Sequence, residues 1–302
     1  MNVDPLSEVL NLINVEETVY FHAEFSEPWA LQMEQGPQKF HYVLSGQCEA
    51  DVGAAAPLHL NTGDVLITPS GIKHLLFSGK RVKPQLATAI TCTKLSDRYY
   101  LTKLGGGGKQ CVIICGDLKF GASSNHLIAQ LPKWIHIARE GSEQDERTYG
   151  ILRFLASETR HPGPGSEALT LRLADLFVVQ SIRQWILRNP SKGKNWINGL
   201  SDAVVGKALA IIHRNFNQKI TLDTLSRDIG ASRSLLAQRF SEIVGTGPID
   251  YLTTWRMTKA QQLLEAGKLS IEEISLAVGY ASLSAFSKAF KRVTGASPKS
   301  AR

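Results

Sequence analysis

Three histidines and one cysteine in the first 120 residues, His22, His41, His74 and Cys115, have side chains that bind metal ions. Imidazole nitrogens and a thiolate together suit zinc, so these four are the candidate ligands of a zinc site. Such a site requires separate strands to bring the four side chains within about 4 Å of one another. The alternative is that each histidine is an ordinary hydrogen-bonded pocket residue. The sequence leaves both interpretations open.

The chain has four cysteines, and two of them share a predicted strand. Cys111 and Cys115 lie in the run CVIIC, and their even spacing predicts that both side chains point to one face. Without export features, reduced thiols are expected rather than disulfides. Buried, inert thiols are the main interpretation, with metal ligation or redox sensing as alternatives. The other two cysteines are Cys48 and Cys92.

The most informative pattern is a duplication, because the segment 225–248 recurs at 274–298. In each copy a short helix is predicted to end at a glycine, which adopts the left-handed conformation, and a serine then caps a second helix. Any two packed helices can imitate one helix-turn-helix, but two copies at fixed spacing favour DNA recognition. Between them, a helix beginning at Pro248 has about 18 residues and spans about 27 Å. Recognition helices at its two ends could enter successive major grooves, which lie about 34 Å apart.

Charge is distributed unevenly along the chain. The net charge is +7, and residues 201–302 contain 14 Lys and Arg against 8 Asp and Glu. A basic C-terminal third suits a polyanionic partner, although this signal alone is weak. No stretch approaches the eighteen or so apolar residues of a membrane span, so no membrane partner is predicted. The acidic N terminus has no basic region typical of a signal peptide, which predicts a cytoplasmic location.

The elements that must position these residues change in type along the chain. Short apolar runs separated by glycine-rich turns predict strands, in a sandwich or barrel, and helical spacing begins near residue 126. A helix over 166–188 has an apolar stripe expected to pack onto the strands, with dimerisation as a further hypothesis. The stripe includes Leu169, Leu173, Leu176, Phe177 and Ile182. The predicted division is 1–125 (barrel), 126–190 (helical layer and possible homodimer contact), 191–201 (linker) and 202–302 (helical DNA-binding domain, with helix-turn-helix units at 221–245 and 270–295).

Residues 203–302 resemble the DNA-binding domain of the AraC/XylS family of transcription activators. The resemblance is carried by GASRSLLAQRFSEIVGTGP, YLTTWRMTKAQQLL and SIEEISLAVGYASLSAFSKAFKRVTGASP. It implies double-stranded DNA and RNA polymerase as partners, with DNA contacted by exposed residues of each recognition helix. Arg233 is expected to provide direct base readout, and the second unit more positioning than discrimination. The implied contact residues are Ser232, Arg233, Ser234, Ala237 and Gln238 in the first unit, and Ser282, Ser284, Ala285, Lys288, Lys291 and Arg292 in the second.

The N-terminal part resembles the cupin-type sensor domain found in a branch of the same family. Residues 63–74, GDVLITPSGIKH, match the second cupin motif through Gly63, Pro69, Gly71 and His74. The first motif is not intact, because FHYVLSG retains only a histidine and a glycine. The resemblance implies a barrel that binds a small-molecule effector of unknown identity.

These patterns suggest three alternative functions. The first is a ligand-responsive transcription regulator, most simply an activator. The second is a metal-dependent cupin enzyme with an appended helical domain, which the broken first motif disfavours because catalytic zinc needs about three protein ligands. The third is a helical interaction module, which the doubled recognition helices disfavour. The sequence therefore predicts a non-enzymatic α+β protein with an N-terminal cupin-like β-barrel and helical layer, and a C-terminal all-α domain with two helix-turn-helix units.

Overall fold

The structure is a computed structural model of the 302-residue chain. It describes residues 5–11, 13, 15–121, 124, 128, 131–161, 163–189, 196–200 and 202–301. These residues divide into two units. The first, here named the β-rich unit, comprises 15–120 and 131–187, and the second, the helical unit, comprises the described parts of 1–14, 121–130 and 188–302.

The strands all belong to the β-rich unit and are numbered in chain order. They are β1 (Val15–Ser26), β2 (Trp29–Met33), β3 (Gln38–Ser45), β4 (Gln47–Asp51), β5 (Leu58–Asn61), β6 (Val65–Thr68), β7 (His74–Ser78), β8 (Gln85–Leu86), β9 (Cys92–Lys94), β10 (Tyr99–Gly105), β11 (Gln110–Phe120) and β12 (Ile135–Ile137).

The helices are numbered in the same way over the described residues. They are α1 (Pro5–Leu10), α2 (Glu143–Arg160), α3 (Ser166–Arg188), α4 (Trp196–Gly199), α5 (Val205–Asn215), α6 (Leu222–Ile229), α7 (Arg233–Val244), α8 (Pro248–Ala266), α9 (Ile271–Ala277) and α10 (Leu283–Thr294). None of the helices that the structure describes is both long and apolar enough to cross a membrane.

Two sheets enclose the core of the β-rich unit. In the described residues one sheet has the order β12-β6-β3-β11-β1-β10-β9 and the other the order β5-β4-β7-β2-β8. Inward-facing side chains of both sheets form a single apolar cluster that includes Trp29, Val43, Leu76 and Ile113. Because strand residues alternate between faces, every second residue of β1 enters this interior. The prediction of a cupin-like β domain is confirmed, and its strands continue to Ile137 in β12, beyond the expected end of the barrel at 125.

Helix α3 covers the outer face of the larger sheet. Phe177 packs on Phe40 with ring centroids 4.8 Å apart, and Tyr20 donates its hydroxyl hydrogen to the Thr170 carbonyl over 3.0 Å. The predicted helical layer is therefore present. Three residues of the predicted apolar stripe are buried, but the other two, Leu169 and Leu176, are exposed because the helix turns them away from the sheet.

The helical unit contains both predicted helix-turn-helix motifs, α6–α7 and α9–α10, joined by α8. An apolar cluster around Met257, Ile274, Phe286 and Phe290 packs the second motif onto α8. In the first motif, Leu236 and Phe240 of α7 are fully buried. The predicted all-helical C-terminal domain is confirmed.

Candidate functional site

The first helix-turn-helix is built by local capping signals. Helix α6 ends at Gly230, whose φ of 73° lies in the left-handed region that glycine tolerates best. Ser232 then caps α7 by accepting a hydrogen bond from the Leu235 amide. Because the cap fixes where α7 begins, Arg233 and Ser234 are placed in its first turn and are exposed. This is the end of a recognition helix that meets base edges.

The second helix-turn-helix repeats this construction with one tighter contact. Ser282 caps α10 by accepting from the Ala285 amide. Gly279 has a φ of 81°, and a Cβ built there would lie 2.5 Å from the Asn217 carbonyl oxygen. Glycine is therefore needed at position 279 both for its backbone conformation and for this close approach between the second motif and the α5–α6 loop.

Helix α8 fixes the spacing between the two motifs. It has 19 residues, which at 1.5 Å per residue gives a length of about 28 Å. Arg256 on this helix donates to the carbonyl oxygens of Phe216 (2.6 Å) and Gln218 (2.7 Å) and lies 5.4 Å from the Tyr280 ring centroid. Arg256 thus ties the first motif, the long helix and the second motif together. The sequence analysis quoted its segment without assigning it this role.

The residues predicted to contact DNA lie on the surface of the helical unit. All of them are exposed except Ala237, which is half-buried. Two are already engaged locally, since Ser232 and Ser282 use their side-chain oxygens as caps. Gln238 donates to Glu242 over 2.9 Å. The contacts of these residues with DNA stay a prediction.

Arg233 has a partner that the sequence analysis missed. Its guanidinium lies 2.7 Å from the Asp223 carboxylate of α6, and both side chains are largely exposed. An exposed ion pair contributes about 0–1 kcal/mol, so it orients Arg233 without holding it firmly. At the corresponding position, 50 residues later, the second motif has Leu283, which is also exposed. Leucine can contact a thymine methyl group but cannot form the guanine contacts of arginine, so the two motifs differ at this position.

Three of the four predicted metal ligands, His41, Cys115 and His74, meet inside the β-rich unit. His41 and Cys115 are cross-strand partners on β3 and β11, and the His41 Nδ1 lies 3.1 Å from Cys115 Sγ. His41 Nε2 lies 2.8 Å from His74 Nε2, which belongs to the opposite sheet. His22 stands apart, because it faces the other side of β1 and pairs with Glu24 at 3.6 Å.

Hydrogen-bond geometry gives this cluster one consistent set of protons. His74 Nδ1 lies 2.8 Å from the Ile72 carbonyl oxygen, so it carries a hydrogen and its Nε2 is an acceptor. His41 therefore donates from Nε2 to His74 and accepts at Nδ1 from the Cys115 thiol. Every ring nitrogen of the two histidines is satisfied with both rings neutral.

The pKa shifts agree with this neutral arrangement. Burial lowers the pKa of His41 well below its ordinary value, and the neighbouring His74 and Lys39 lower it further. Burial also lowers the pKa of His74 and raises that of the Cys115 thiol. The cluster is therefore an uncharged hydrogen-bond chain linking the two sheets.

The donor set does not fit a resident metal ion. Cys115 and His74 contact opposite nitrogens of the His41 ring, which diverge, so one ion cannot take all three side chains as ligands. Within the part of the chain that the structure describes, no group of three or more His, Cys, Asp or Glu side chains is arranged to hold a metal.

A cavity of about 480 Å³ opens beside this cluster, a size typical of small-molecule sites. Its walls are mainly apolar, with Phe21, Phe25 and Leu31 among them, and His41 and Cys115 also line it. Lys39 and Asp117 also border it and form an ion pair at 2.5 Å. The cavity can thus enclose an apolar molecule.

Comparisons with known proteins agree with both parts of this geometry. The Cupin family profile matches residues 4–187, and a Helix-turn-helix domain profile matches 225–302. An AraC-like transcription regulator from Streptomyces lividans is 30% identical over 300 residues, covering 98% of this chain and 97% of the relative. The chain belongs to the AraC-like transcription regulators.

Other proteins also align with nearly the whole length of this AraC-like regulator. The transcriptional regulator AlkR of Acinetobacter baylyi is 28% identical over 309 residues, covering 98% of each chain. Among solved structures, unsaturated fatty acid-bound ToxT of Vibrio cholerae matches 95% of each chain at 13% identity with a TM-score of 0.37, a similarity too loose to carry an argument. A cupin domain followed by a helix-turn-helix domain is thus the organisation of this AraC-like regulator.

Proposed function

We propose that this AraC-like regulator binds specific double-stranded DNA by inserting α7 and α10 into successive major grooves. The observation that carries the proposal is the pair of capped helix-turn-helix motifs attached to the two ends of one 19-residue helix. In this arrangement Arg233 contacts a guanine, and Lys288, Lys291 and Arg292 contact phosphates. Leu283 joins the predicted set as a residue for apolar contact with thymine.

The β-rich unit is proposed to regulate this binding by holding a small-molecule effector. Its cavity supports the proposal, because strands of both sheets line it, its walls are mainly apolar and its volume is within the range of ligand sites. A molecule that binds one conformation more tightly increases the population of that conformation. If the two conformations differ in their affinity for DNA, effector binding changes DNA binding.

A homodimer is proposed through the outer surface of α3. Leu169, Leu176 and Leu187 are exposed there, and their spacings of seven and eleven residues place them along one face of the helix. A second copy of the same helix would cover this apolar row and let a dimer bind paired DNA sites.

The remaining parts of the proposal follow from the family. The protein acts in the cytoplasm, where its DNA is, and activates transcription by recruiting RNA polymerase. A metal-dependent cupin enzyme is disfavoured, because a catalytic zinc needs about three protein ligands and, among the described residues, no group of three or more His, Cys, Asp or Glu side chains is arranged to hold a metal ion.

DNA binding is tested with the purified full-length protein on genomic fragments at several salt concentrations. The expected result is selection of a small set of fragments, with log K falling linearly with log salt by about 0.9 for each phosphate contacted. Equal affinity for all fragments would refute sequence-specific binding, and a flat salt dependence would refute the phosphate contacts.

A further inference from the structure

Thr102 supplies an unused polar group to the wall of the cavity. Its side chain lies on β10, lines the cavity and is 6% exposed. Its hydroxyl has no hydrogen-bond partner among the residues that the structure describes. A buried hydroxyl without a partner costs about 1–3 kcal/mol, so its position in the lining of a cavity favours a hydrogen-bond partner supplied by a bound molecule.

Of the polar side chains that line the cavity, the buried ones other than Thr102 already have partners, whereas Gln35 and Thr88 are exposed to solvent. Both nitrogens of His41 are used by Cys115 and His74. Tyr100 directs its hydroxyl to the Asp97 carbonyl oxygen at 3.4 Å. Thr102 is therefore the buried polar side chain of the cavity lining that lacks a hydrogen-bond partner among the described residues.

The charges that border the cavity are balanced. Lys39 pairs with Asp117 at 2.5 Å, and Glu34 pairs with Lys73 at 3.1 Å. The histidine–cysteine cluster is neutral, as its hydrogen bonds require. A charged ligand would lose its hydration without meeting an uncompensated opposite charge, which is unfavourable by several kcal/mol in general. Charge balance thus selects against ionic ligands.

Small side chains make room beside Thr102. The register of the sheet places Ala23 directly across from it on β1, and Cys92 across from it on β9. Both neighbours line the cavity as well. A bulky residue at position 23 would narrow the cavity beside Thr102, whereas alanine leaves that space free.

We propose that the cavity binds an uncharged, mainly apolar small molecule whose single polar group, a hydroxyl or a carbonyl, forms a hydrogen bond with Thr102 Oγ1. This inference rests on the proposed effector role of the cavity and specifies the chemical class of the effector. Because a threonine hydroxyl can both donate and accept, either polar group satisfies it. The apolar walls hold the rest of the molecule.

The proposed chemical class of the ligand is tested by calorimetric titration of the full-length protein with two matched series of probes. One series is decane, decanol and decanoate, and the other is naphthalene, naphthol and naphthoate. In at least one series the neutral alcohol is expected to bind about threefold to tenfold more tightly than the hydrocarbon, and at least about a hundredfold more tightly than the carboxylate. Equal or tighter binding of the carboxylate, or no binding by either alcohol, would overturn the proposal.

Matched variants test the contact itself. Thr102→Val removes the hydroxyl at nearly constant volume and should reduce alcohol affinity to that of the hydrocarbon, whereas Thr102→Ser should restore it. Thr88→Val is the control, because Thr88 lines the cavity but is exposed to solvent. Unchanged alcohol affinity in Thr102→Val would overturn the assignment of the anchor.

Charge balance is tested separately with Asp117→Asn. This substitution leaves Lys39 without its carboxylate partner, so decanoate should gain at least about tenfold in affinity while decanol is little changed. No gain for the carboxylate would show that charge balance does not set the selectivity. DNA binding by the same preparations separates the two proposals, because specific DNA binding that persists without any probe binding refutes only the ligand class.

Discussion

Arg233 is the residue whose loss should affect base recognition most directly. Arg233→Ala removes the guanidinium from the first turn of α7, and we expect a loss of about 1–3 kcal/mol on the cognate site with preference lost at one base pair. Competition binding with single-base variants of the site measures both effects. Arg239→Ala is a matched control on the same helix, because Arg239 is engaged with Asp202 at 2.8 Å. Equal losses on cognate and random DNA would identify Arg233 as a phosphate contact.

Asp223 is expected to weaken DNA binding beside Arg233. Its carboxylate lies 2.7 Å from the Arg233 guanidinium and would approach the negative DNA backbone with it. Asp223→Asn should therefore strengthen binding to all DNA by about threefold to tenfold and leave stability within about 1 kcal/mol of the original. Binding isotherms on cognate and random fragments, with thermal unfolding in parallel, check both expectations. Weaker binding to cognate DNA would mean that the ion pair positions Arg233 for its contact.

The sequence predicted the role of a residue only where the interacting groups lie close together along the chain. The caps at Ser232 and Ser282 follow from neighbours three residues away, so the local pattern was sufficient. The role of Arg256 depends on carbonyl groups 38 and 40 residues away, which no local pattern identifies. The sequence pattern does not separate His22 from His41, because both faces of the larger sheet are covered, which hides the alternation that normally distinguishes inward from outward residues.

At the scale of elements, the turn of the second helix-turn-helix should tolerate substitution of its glycine less well than the turn of the first. Gly279 and Gly230 both have a positive φ, but only a Cβ at position 279 would meet backbone, at 2.5 Å from Asn217. Gly230→Ala should cost about 1 kcal/mol from backbone strain alone. Gly279→Ala should cost about 2–4 kcal/mol because the clash adds to the strain.

Chemical denaturation of the two alanine variants compares these costs directly. The difference between them isolates the close approach, since the backbone strain is common to both. Equal destabilisation would mean that the α5–α6 loop moves away freely and that it does not fix the second motif.

The buried histidines His41 and His74, on β3 and β7, should make the β-rich unit less stable at acidic pH. Burial lowers the pKa of both side chains, so below about pH 6.5 the unfolded chain takes up protons that the folded chain resists. Stability is therefore complete above that pH and falls as the pH decreases toward the folded pKa values. We expect the free energy of unfolding to fall by about 1–3 kcal/mol from about pH 7.5 to about pH 5.5.

Denaturant titrations followed by tryptophan fluorescence measure this dependence. His74→Gln should reduce it, whereas His59→Gln should leave it unchanged, because His59 is exposed on β5. A dependence that is the same in the His74 variant and in the original protein would contradict the role of the buried pair.

At the scale of the whole molecule, the exposed leucines of α3 are the proposed contact between two copies of the chain. A row of apolar side chains on an otherwise packed helix is costly in water, and a second copy would bury it. Leu176→Glu places a charge in the centre of that row and should convert a dimer to a monomer in sedimentation at micromolar concentration. Leu95→Glu is the control, since Leu95 is similarly exposed but lies between β9 and β10.

Dimerisation also has a signature in DNA binding. A dimer gains affinity on two correctly spaced half-sites because the second contact becomes intramolecular, a gain that a single half-site cannot supply. Leu176→Glu should therefore weaken binding to the paired site by at least about tenfold and leave the single half-site unchanged. If the original protein sediments as a monomer and binds both DNAs equally, the leucine row does not join two copies. Loss of binding to both DNAs in the variant would instead point to a packing role for Leu176.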